Sequence, residues 1–283
     1  MKVKIIERES ACYPERLRLI KEPPEKLYCV GDTELLGTVC VSVVGSRKCS
    51  GYGLRVSERL GALLARGGVT VVSGLAAGID AAAHRGAMDA GGAAIAVLGN
   101  GPDIFYPSVN RELQKRISEG GLVISEYPPG TKPAKYTFPR RNRIIAGLSE
   151  ATVVAEAGLE SGSLITAGFA EDQGRCVFAV PSNIDSVTGA GSNRLIRDGA
   201  VPLTVLGDIF PMLGIDEKDQ PDVQRLGGDE LLVMEAVKGG GEVTFDEVSA
   251  GTGLPPAAVR SIVTVLEIKG LLATDYGKIF VAK

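Results

Sequence analysis

The chain has 283 residues, 45% hydrophobic and 23% charged, with 31 Lys and Arg against 34 Asp and Glu for a net charge of −3. That is the composition of a folded chain with room for about two domains of roughly 150 residues each, and it excludes wholesale disorder. A single histidine, His84, excludes Ser-His-Asp, Cys-His and multi-histidine metal chemistry, while five widely spaced cysteines without a C-x-x-C indicate neither a disulfide framework nor a zinc knuckle.

In chain order, residues 1–36 stand apart from the pattern that follows. They carry a stiff Glu22-Pro23-Pro24-Glu25 joint and are predicted to be an N-terminal extension packing on a sheet edge. From 37 to 213, short β-branched runs at 39–44, 69–73, 93–98, 122–125, 152–155, 176–180 and 201–205 alternate with helical patterns at 52–66, 80–90, 110–119, 140–148, 163–173 and 192–198. In the first of these helices Val56, Leu60, Leu63 and Leu64 form one apolar stripe that ends at Gly67-Gly68. Such alternation predicts an α/β fold, a doubly wound and mostly parallel sheet built from right-handed βαβ units. Residues 214–226 are polar and without apolar periodicity, a linker. Beyond them, in 227–283, helical patterns at 231–237, 245–250 and 256–269 precede a hairpin of 272–275 and 278–282 around Tyr276-Gly277, which predicts a winged helix. The longest uncharged stretches, 67–79 and 90–102, have 13 residues each, short of the ~20 that span a bilayer. With no secretory signal at the N-terminus either, a cytoplasmic protein without a membrane partner is expected.

Ligands of open α/β sheets bind outside the carboxyl ends of the strands, so the loops following the strands are where chemistry belongs. Glycine makes up 37 of the 283 residues and recurs in four of these loops: Gly45-Ser46-Arg47, Ser73-Gly74, Ser161-Gly162-Ser163 and Gly189-Ala190-Gly191-Ser192-Asn193. Taken singly each is a helix cap; together they offer backbone N–H groups, hydroxyls and a guanidinium to phosphates. Neither G-x-G-x-x-G with an acid ~20 residues on nor a P-loop occurs, so no nucleotide cofactor is expected, nor any metal. The segment 132–143 holds five cations (Lys132, Lys135, Arg140, Arg141, Arg143) and no acid, with Tyr136 and Phe138 between them. Rings beside cations suit single-stranded nucleic acid, whose bases stack while its backbone is held. By contrast, 227–283 has five Lys and Arg against eight Asp and Glu, and Arg260 is the sole cation in the first two turns of its last helix; a protein contact is expected of that domain rather than duplex DNA. His84 is read as a packing or capping residue, and Glu126 and Glu156, which end strands, as loop-orienting carboxylates.

Val43-Val44-Gly45-Ser46-Arg47, Ser73-Gly74-Leu75-Ala76-Ala77-Gly78-Ile79-Asp80, the run Phe138-Pro139-Arg140-Arg141-Asn142-Arg143-Ile144-Ile145-Ala146, Ser161-Gly162-Ser163 and Gly191-Ser192-Asn193-Arg194 resemble the DprA/Smf family of bacterial DNA-processing proteins over about residues 10–210. The resemblance implies an extended Rossmann-like fold that binds single-stranded DNA independently of sequence during natural transformation. It also implies a homodimer formed through that fold, a RecA-type recombinase as partner, and no catalytic turnover. Residue by residue, Arg47 matches the arginine of the Gly-Ser-Arg loop, Lys135 and Phe138 the lysine and aromatic of the basic segment, and Arg143 with Ser161-Gly162-Ser163 further positions of the pocket. The full set of expected DNA-binding residues is Gly45, Ser46, Arg47, Ser73, Gly74, Lys135, Phe138, Arg140, Asn142, Arg143, Ser161, Gly162, Ser163, Ser192 and Asn193. Family members often carry a helical domain ahead of the extension, which this sequence is expected to lack. The rival readings are a nucleotide-hydrolysing phosphoribohydrolase of the lysine-decarboxylase-like superfamily, whose Pro-Gly-Gly-x-Gly-Thr loop is missing here, and a small-nucleotide sensor.

Overall fold

Strands buried on both faces need no alternation of apolar and polar residues, and the central strands of this chain read as near-continuous apolar runs for that reason. The computed structural model describes residues 2–215, 228–268, 271–275 and 277–282, and these belong to two compact units divided between Pro221 and Asp222. Most of the expected linker (216–226) lies outside the described residues, as do Lys269 and Tyr276 of the expected last helix and hairpin.

The first unit runs β1 (Lys4–Glu7), the one-turn helix α1 (Glu15–Arg18), β2 (Lys26–Gly31), β3 (Cys40–Gly45), α2 (Gly51–Arg66), β4 (Thr70–Ser73), α3 (Ile79–Asp89), β5 (Ala94–Leu98), α4 (Arg111–Gly120), β6 (Leu122–Ser125), α5 (Thr137–Leu148), β7 (Ala151–Glu156), α6 (Ser163–Asp172), β8 (Cys176–Ala179), α7 (Ala190–Arg197) and β9 (Val201–Pro202). Its strands form one sheet in the order β1-β2-β6-β5-β4-β3-β7-β8-β9. From β3 through β9 all neighbours are parallel; β1 and β2 join the edge antiparallel. The sheet is therefore doubly wound and mostly parallel, as the alternation predicts. The N-terminal extension does more than pack on the edge, for it supplies two strands. β1 is exposed but for Ile6, and β2, Lys-Leu-Tyr-Cys-Val-Gly, has a single β-branched residue, so both give a weak signal in the sequence. The last run, 201–205, shrinks to two residues before the chain turns into 3-10 geometry at Leu206–Ile209. α5 begins three residues earlier than the sequence pattern indicates, which draws Phe138 into its first turn.

Helices cover both faces. In β5, Ile95 and Val97 pack into a cluster with Leu17, Ile144 and Ile145 beneath α1 and α5, whereas Ala94, Ala96 and Leu98 pack with Ala81 of α3 and Leu113 and Ile117 of α4. A third cluster joins Val41, Val43, Val71 and Val153 of the sheet to Leu60 and Leu64 of α2 and to Ile79 and Ala83 of α3. Two glycines let α2 and α3 touch backbone to backbone. A Cβ on Gly61 would come within 2.2 Å of the Ala83 carbonyl oxygen, and one on Gly86 within 2.0 Å of the Glu58 carbonyl oxygen. His84, fully buried on α3, is a packing residue whose imidazole burial pushes down to about 3.

The second unit has α8 (Gly228–Gly240), β10 (Val243–Thr244), α9 (Phe245–Thr252), α10 (Pro256–Ile268), β11 (Leu272–Asp275) and β12 (Lys278–Val281), with strand order β10-β12-β11. Val233, Val237, Val248, Val263, Leu266 and Ile279 fill its core, and a Thr244–Glu247 capping box starts α9. This is a winged helix. Arg260 of α10 lies over the Phe245 ring, 5.7 Å from its centre. Among the described residues no helix is long and apolar enough to cross a membrane.

Alanine is the better helix former, yet Gly61→Ala and Gly86→Ala are expected to destabilise the first unit by about 1–3 kcal/mol, because the new methyls strike backbone rather than flexible side chains. A shift of the urea midpoint to lower concentration at unchanged m-value checks this. His84 predicts an acid sensitivity. Its unfolded form titrates near 6.5 and its folded form about 3, so the stability it confers is complete above about pH 6.5 and is lost progressively as pH falls towards 3. Asp80, whose carboxyl burial raises, works with the opposite sign. Comparing urea unfolding of the parent chain and His84→Gln at pH 7 and pH 5 isolates the imidazole, and the parent is expected to lose more stability over that interval.

Candidate nucleic-acid interface

All seven parallel strands point their carboxyl ends at one rim, and the order of connection reverses between β3 and β7. A crevice at such a reversal is where doubly wound sheets bind ligands. Glu156, the last residue of β7, organises it. Its backbone oxygen accepts from Ser46 N at 2.7 Å, and its carboxylate accepts from Ser50 N at 2.9 Å and Ser50 Oγ at 2.5 Å. The Gly45–Ser50 loop is thereby folded back onto the strand ends. Gly78, at φ +84°, passes so close that a Cβ there would lie 2.4 Å from the Ser46 oxygen, and Ile79 N donates to that oxygen at 3.3 Å. The loops after β3 and β4 are stacked on each other, with Arg47 left exposed.

Beneath them lies a charge that the motifs of the sequence do not single out. Arg141 is 4% exposed. Its Nη1 donates to the carbonyl oxygens of Gly74, at 2.8 Å, and Val97, the ends of β4 and β5, and its Nε donates to Asn142 Oδ1 at 3.2 Å. Burial pushes its guanidinium down to about 10, and the charge of Arg47 pushes the same way, while nearby Asp80 opposes both; it is still a cation at neutral pH. Asp80 in turn accepts from Gly74 N and Ala76 N. Arg141 stands one turn ahead of the buried Ile144 and Ile145, so helical periodicity marks it as inward-facing.

Above this floor Phe138 lies against Gly99, where a Cβ would come within 2.9 Å of its ring. Tyr106 stacks on it with centroids 5.5 Å apart and an interplanar angle of 30°, and the Arg47 guanidinium sits 5.5 Å from its ring centre. Arg47 and Phe138, far apart in sequence, form one cation–aromatic platform. Lys135 is exposed on the turn that closes with Thr137 N donating to Ala134 O at 3.1 Å, three residues ahead of Phe138, and Tyr136 beside it is 71% exposed. Tyr106, 41% exposed, is absent from the sequence candidates. Its position in the loop after β5, next to Phe105, is the signal that could have found it.

Of the remaining candidates, Asn142 donates to the Gly162 carbonyl at 3.3 Å, tying α5 to the Ser161-Gly162-Ser163 loop, and the hydroxyls of Ser161 and Ser163 bond each other at 2.8 Å. Arg140 is exposed, 3.8 Å from Glu126. Five expected contacts face inward instead. Ser73 is buried and donates its hydroxyl to Val43 O at 2.6 Å, and Gly74 is covered by Arg141. Arg143 is held by Glu126 through two bonds of 2.9 and 2.7 Å and by the Glu22 carbonyl. Ser192 accepts from Ala157 N at 2.9 Å, and Asn193 exchanges two bonds with the Ser182 backbone. Each satisfies buried polar groups of the rim, a demand that sequence spacing does not reveal. The five-cation segment thus turns three charges outward, Lys132, Lys135 and Arg140. Glu156 orients a loop as expected, whereas Glu126 orients Arg143 rather than backbone amides.

Comparison with known proteins identifies the family. The family model for DNA recombination-mediator protein A matches residues 4–214, and that for the DprA winged helix domain matches residues 217–278. The chain is 41% identical over 272 residues to a putative DNA processing protein DprA of Mycobacterium tuberculosis, covering 93% of this chain and 70% of that protein. It is 39% identical over 288 residues to protein Smf of Escherichia coli, covering 96% and 76%. Among solved structures, DprA from Streptococcus pneumoniae has a TM-score of 0.72 at 44% identity over 75% of this chain and 74% of that one. DNA processing protein A from Helicobacter pylori, described for its single-stranded DNA binding mode, has a TM-score of 0.69 at 31% identity over 75% and 96%. A family model that spans the whole sheet-bearing unit, a second on the winged helix and relatives near 40% identical along most of the sequence establish that the chain belongs to the DprA/Smf family of DNA recombination-mediator proteins.

Proposed function

We propose that this chain binds single-stranded DNA without regard to sequence along the rim at Arg47, Lys135, Phe138 and Arg140. The observation that carries the reading is the Arg47–Phe138–Tyr106 stack. A half-buried ring pair whose outer member, Tyr106, is 41% exposed gives one base a stacking surface, and the cation beside it gives the adjoining phosphate a counter-charge; neither interaction reads base identity. The paired hydroxyls of Ser161 and Ser163, on the loop that Asn142 ties to α5, add a further phosphate donor. The H. pylori relative's described binding mode supports the same ligand. Catalysis is not assigned to this surface: the carboxylates of Glu156 and Glu126 are engaged by Ser50 and Arg143, and His84 is sealed in the core. Family membership further supports a mediator role in natural transformation, in which the strand is protected, held by a homodimer joined through the Rossmann-like unit, and handed to a RecA-type recombinase.

Fluorescence anisotropy with labelled oligo-dT tests the reading. Affinity is expected to fall with salt at a log–log slope of about −0.7 per phosphate neutralised. Arg47→Ala and Lys135→Ala are each expected to flatten that slope, and a salt-independent affinity in the parent chain would overturn the assignment. Phe138→Ala should weaken binding by about 1–3 kcal/mol. Since Arg47 rests on Phe138, the double variant is expected to lose less than the sum of the two singles, with a coupling of about 0.5–2 kcal/mol in a double-mutant cycle.

A further inference from the structure

The stack on the rim does not end at Tyr106. Its neighbour Phe105 carries a second cation, the Arg111 guanidinium, 4.8 Å from the ring centre. Arg111 is exposed at the start of α4. Phe105 also forms one wall of a cavity of about 940 Å³ that lies between α4 and the edge strands β1 and β2. Lys2, Lys4 and Lys115 line this cavity, with Glu119 as its sole acid. Lys2 is exposed; Lys4 Nζ reaches a neutral partner, Thr33 Oγ1, at 2.9 Å. Lys115 pairs with Glu112 at 2.9 Å, an exposed contact that water and salt screen. Val30 and Gly31 supply an uncharged floor.

Three features converge here: a groove rather than a closed chamber, an excess of cations along it, and an aromatic residue at its mouth that is covalently next to the rim's own stacking residue. We infer that this groove takes the continuation of the bound DNA strand, which leaves the rim by stepping from Phe138 and Tyr106 to Phe105 and then runs along α4 past Lys115 and Lys4. The inference rests on the proposed binding of single-stranded DNA at the rim and assigns the strand a direction across the molecule, towards β5 and the β1–β2 edge. The loop after β8 lies on the other side of β3, and Ser192 and Asn193 in the first turn of α7 are occupied with backbone groups. A polyanion spread over lysines that are not locked into buried pairs is held through counterion release, so the contact should be long, sequence-independent and sensitive to salt.

The test uses the full chain and two oligo-dT strands, one of about 5 nucleotides, enough for the rim, and one of about 20, enough for rim and groove. Charge reversal by Lys4→Glu with Lys115→Glu is expected to weaken the long strand about tenfold or more at low salt and to flatten its salt slope by about 0.7 for each phosphate no longer neutralised, leaving the short strand unchanged. Glu119→Lys is expected to act in the opposite direction, strengthening the long strand alone. The sequence contains no tryptophan, so Phe105→Trp places one reporter at the groove mouth, where the long strand should quench its fluorescence and the short one should not. If the short strand binds and the long strand is indifferent to all three changes, the groove assignment fails while the rim stands. If the parent chain does not bind the short strand at all, the rim reading itself fails.

Discussion

A guanidinium enclosed by protein is the piece on which the rim depends. The ends of parallel strands leave carbonyl oxygens that neither the sheet nor a helix satisfies, and burying them unpaired costs about 1–3 kcal/mol each. Arg141 meets two of these, at Gly74 and Val97, from within the first two turns of α5. Asp80 holds the amides of Gly74 and Ala76 on the other side. Cation, carboxylate and loop therefore fix one another: removing Arg141 would leave two carbonyls unpaired and Asp80 without its nearby counter-charge, the circumstance in which buried ionic groups become strongly destabilising. Glycine at 74 leaves the guanidinium its room, for a Cβ there would lie 2.3 Å from Arg141 Nη2.

With that base in place, cations divide into two tasks. Arg141 and Arg143 are buried and bind protein groups. Arg47, Lys135 and Arg140 remain exposed. A net charge of −3 is no obstacle to binding a polyanion, since the potential that matters is local and decays within roughly 10 Å in salt. The N-terminal extension serves the same arrangement. Its Glu22 carbonyl accepts from Arg143 and its Pro24 carbonyl from the Tyr13 hydroxyl, so the stiff Pro23-Pro24 joint braces α5 from outside the sheet.

Much of this was legible in the sequence. Seven β-branched runs marked seven strands, because a sheet covered on both faces demands uninterrupted apolar residues. The Gly-Ser-Arg loop and the basic, aromatic-bearing segment marked the proposed site, because phosphate and base recognition draws on few residue types. What the sequence concealed was orientation. Arg140, Arg141 and Arg143 look equivalent as letters, yet successive helical positions differ by about 100°, and α5 turns the first outward and the other two into the protein. Ser73 and Ser192 have the composition of phosphate binders, but each hydroxyl is consumed by a backbone group of a neighbouring strand or loop.

The sequence by itself determined the doubly wound sheet, the winged helix and the chemical class of the proposed ligand, since these follow from periodicity, glycine placement and side-chain chemistry, all local properties of the chain. Tertiary structure alone decided that Arg47 lies on Phe138, 91 positions later, that Tyr106 extends their stack, and that Phe105 opens onto a lysine-lined groove. Those pairings depend on the order in which strands sit side by side and on the faces their helices present. Both are set by the packing of the whole core, so neither is visible in any single segment.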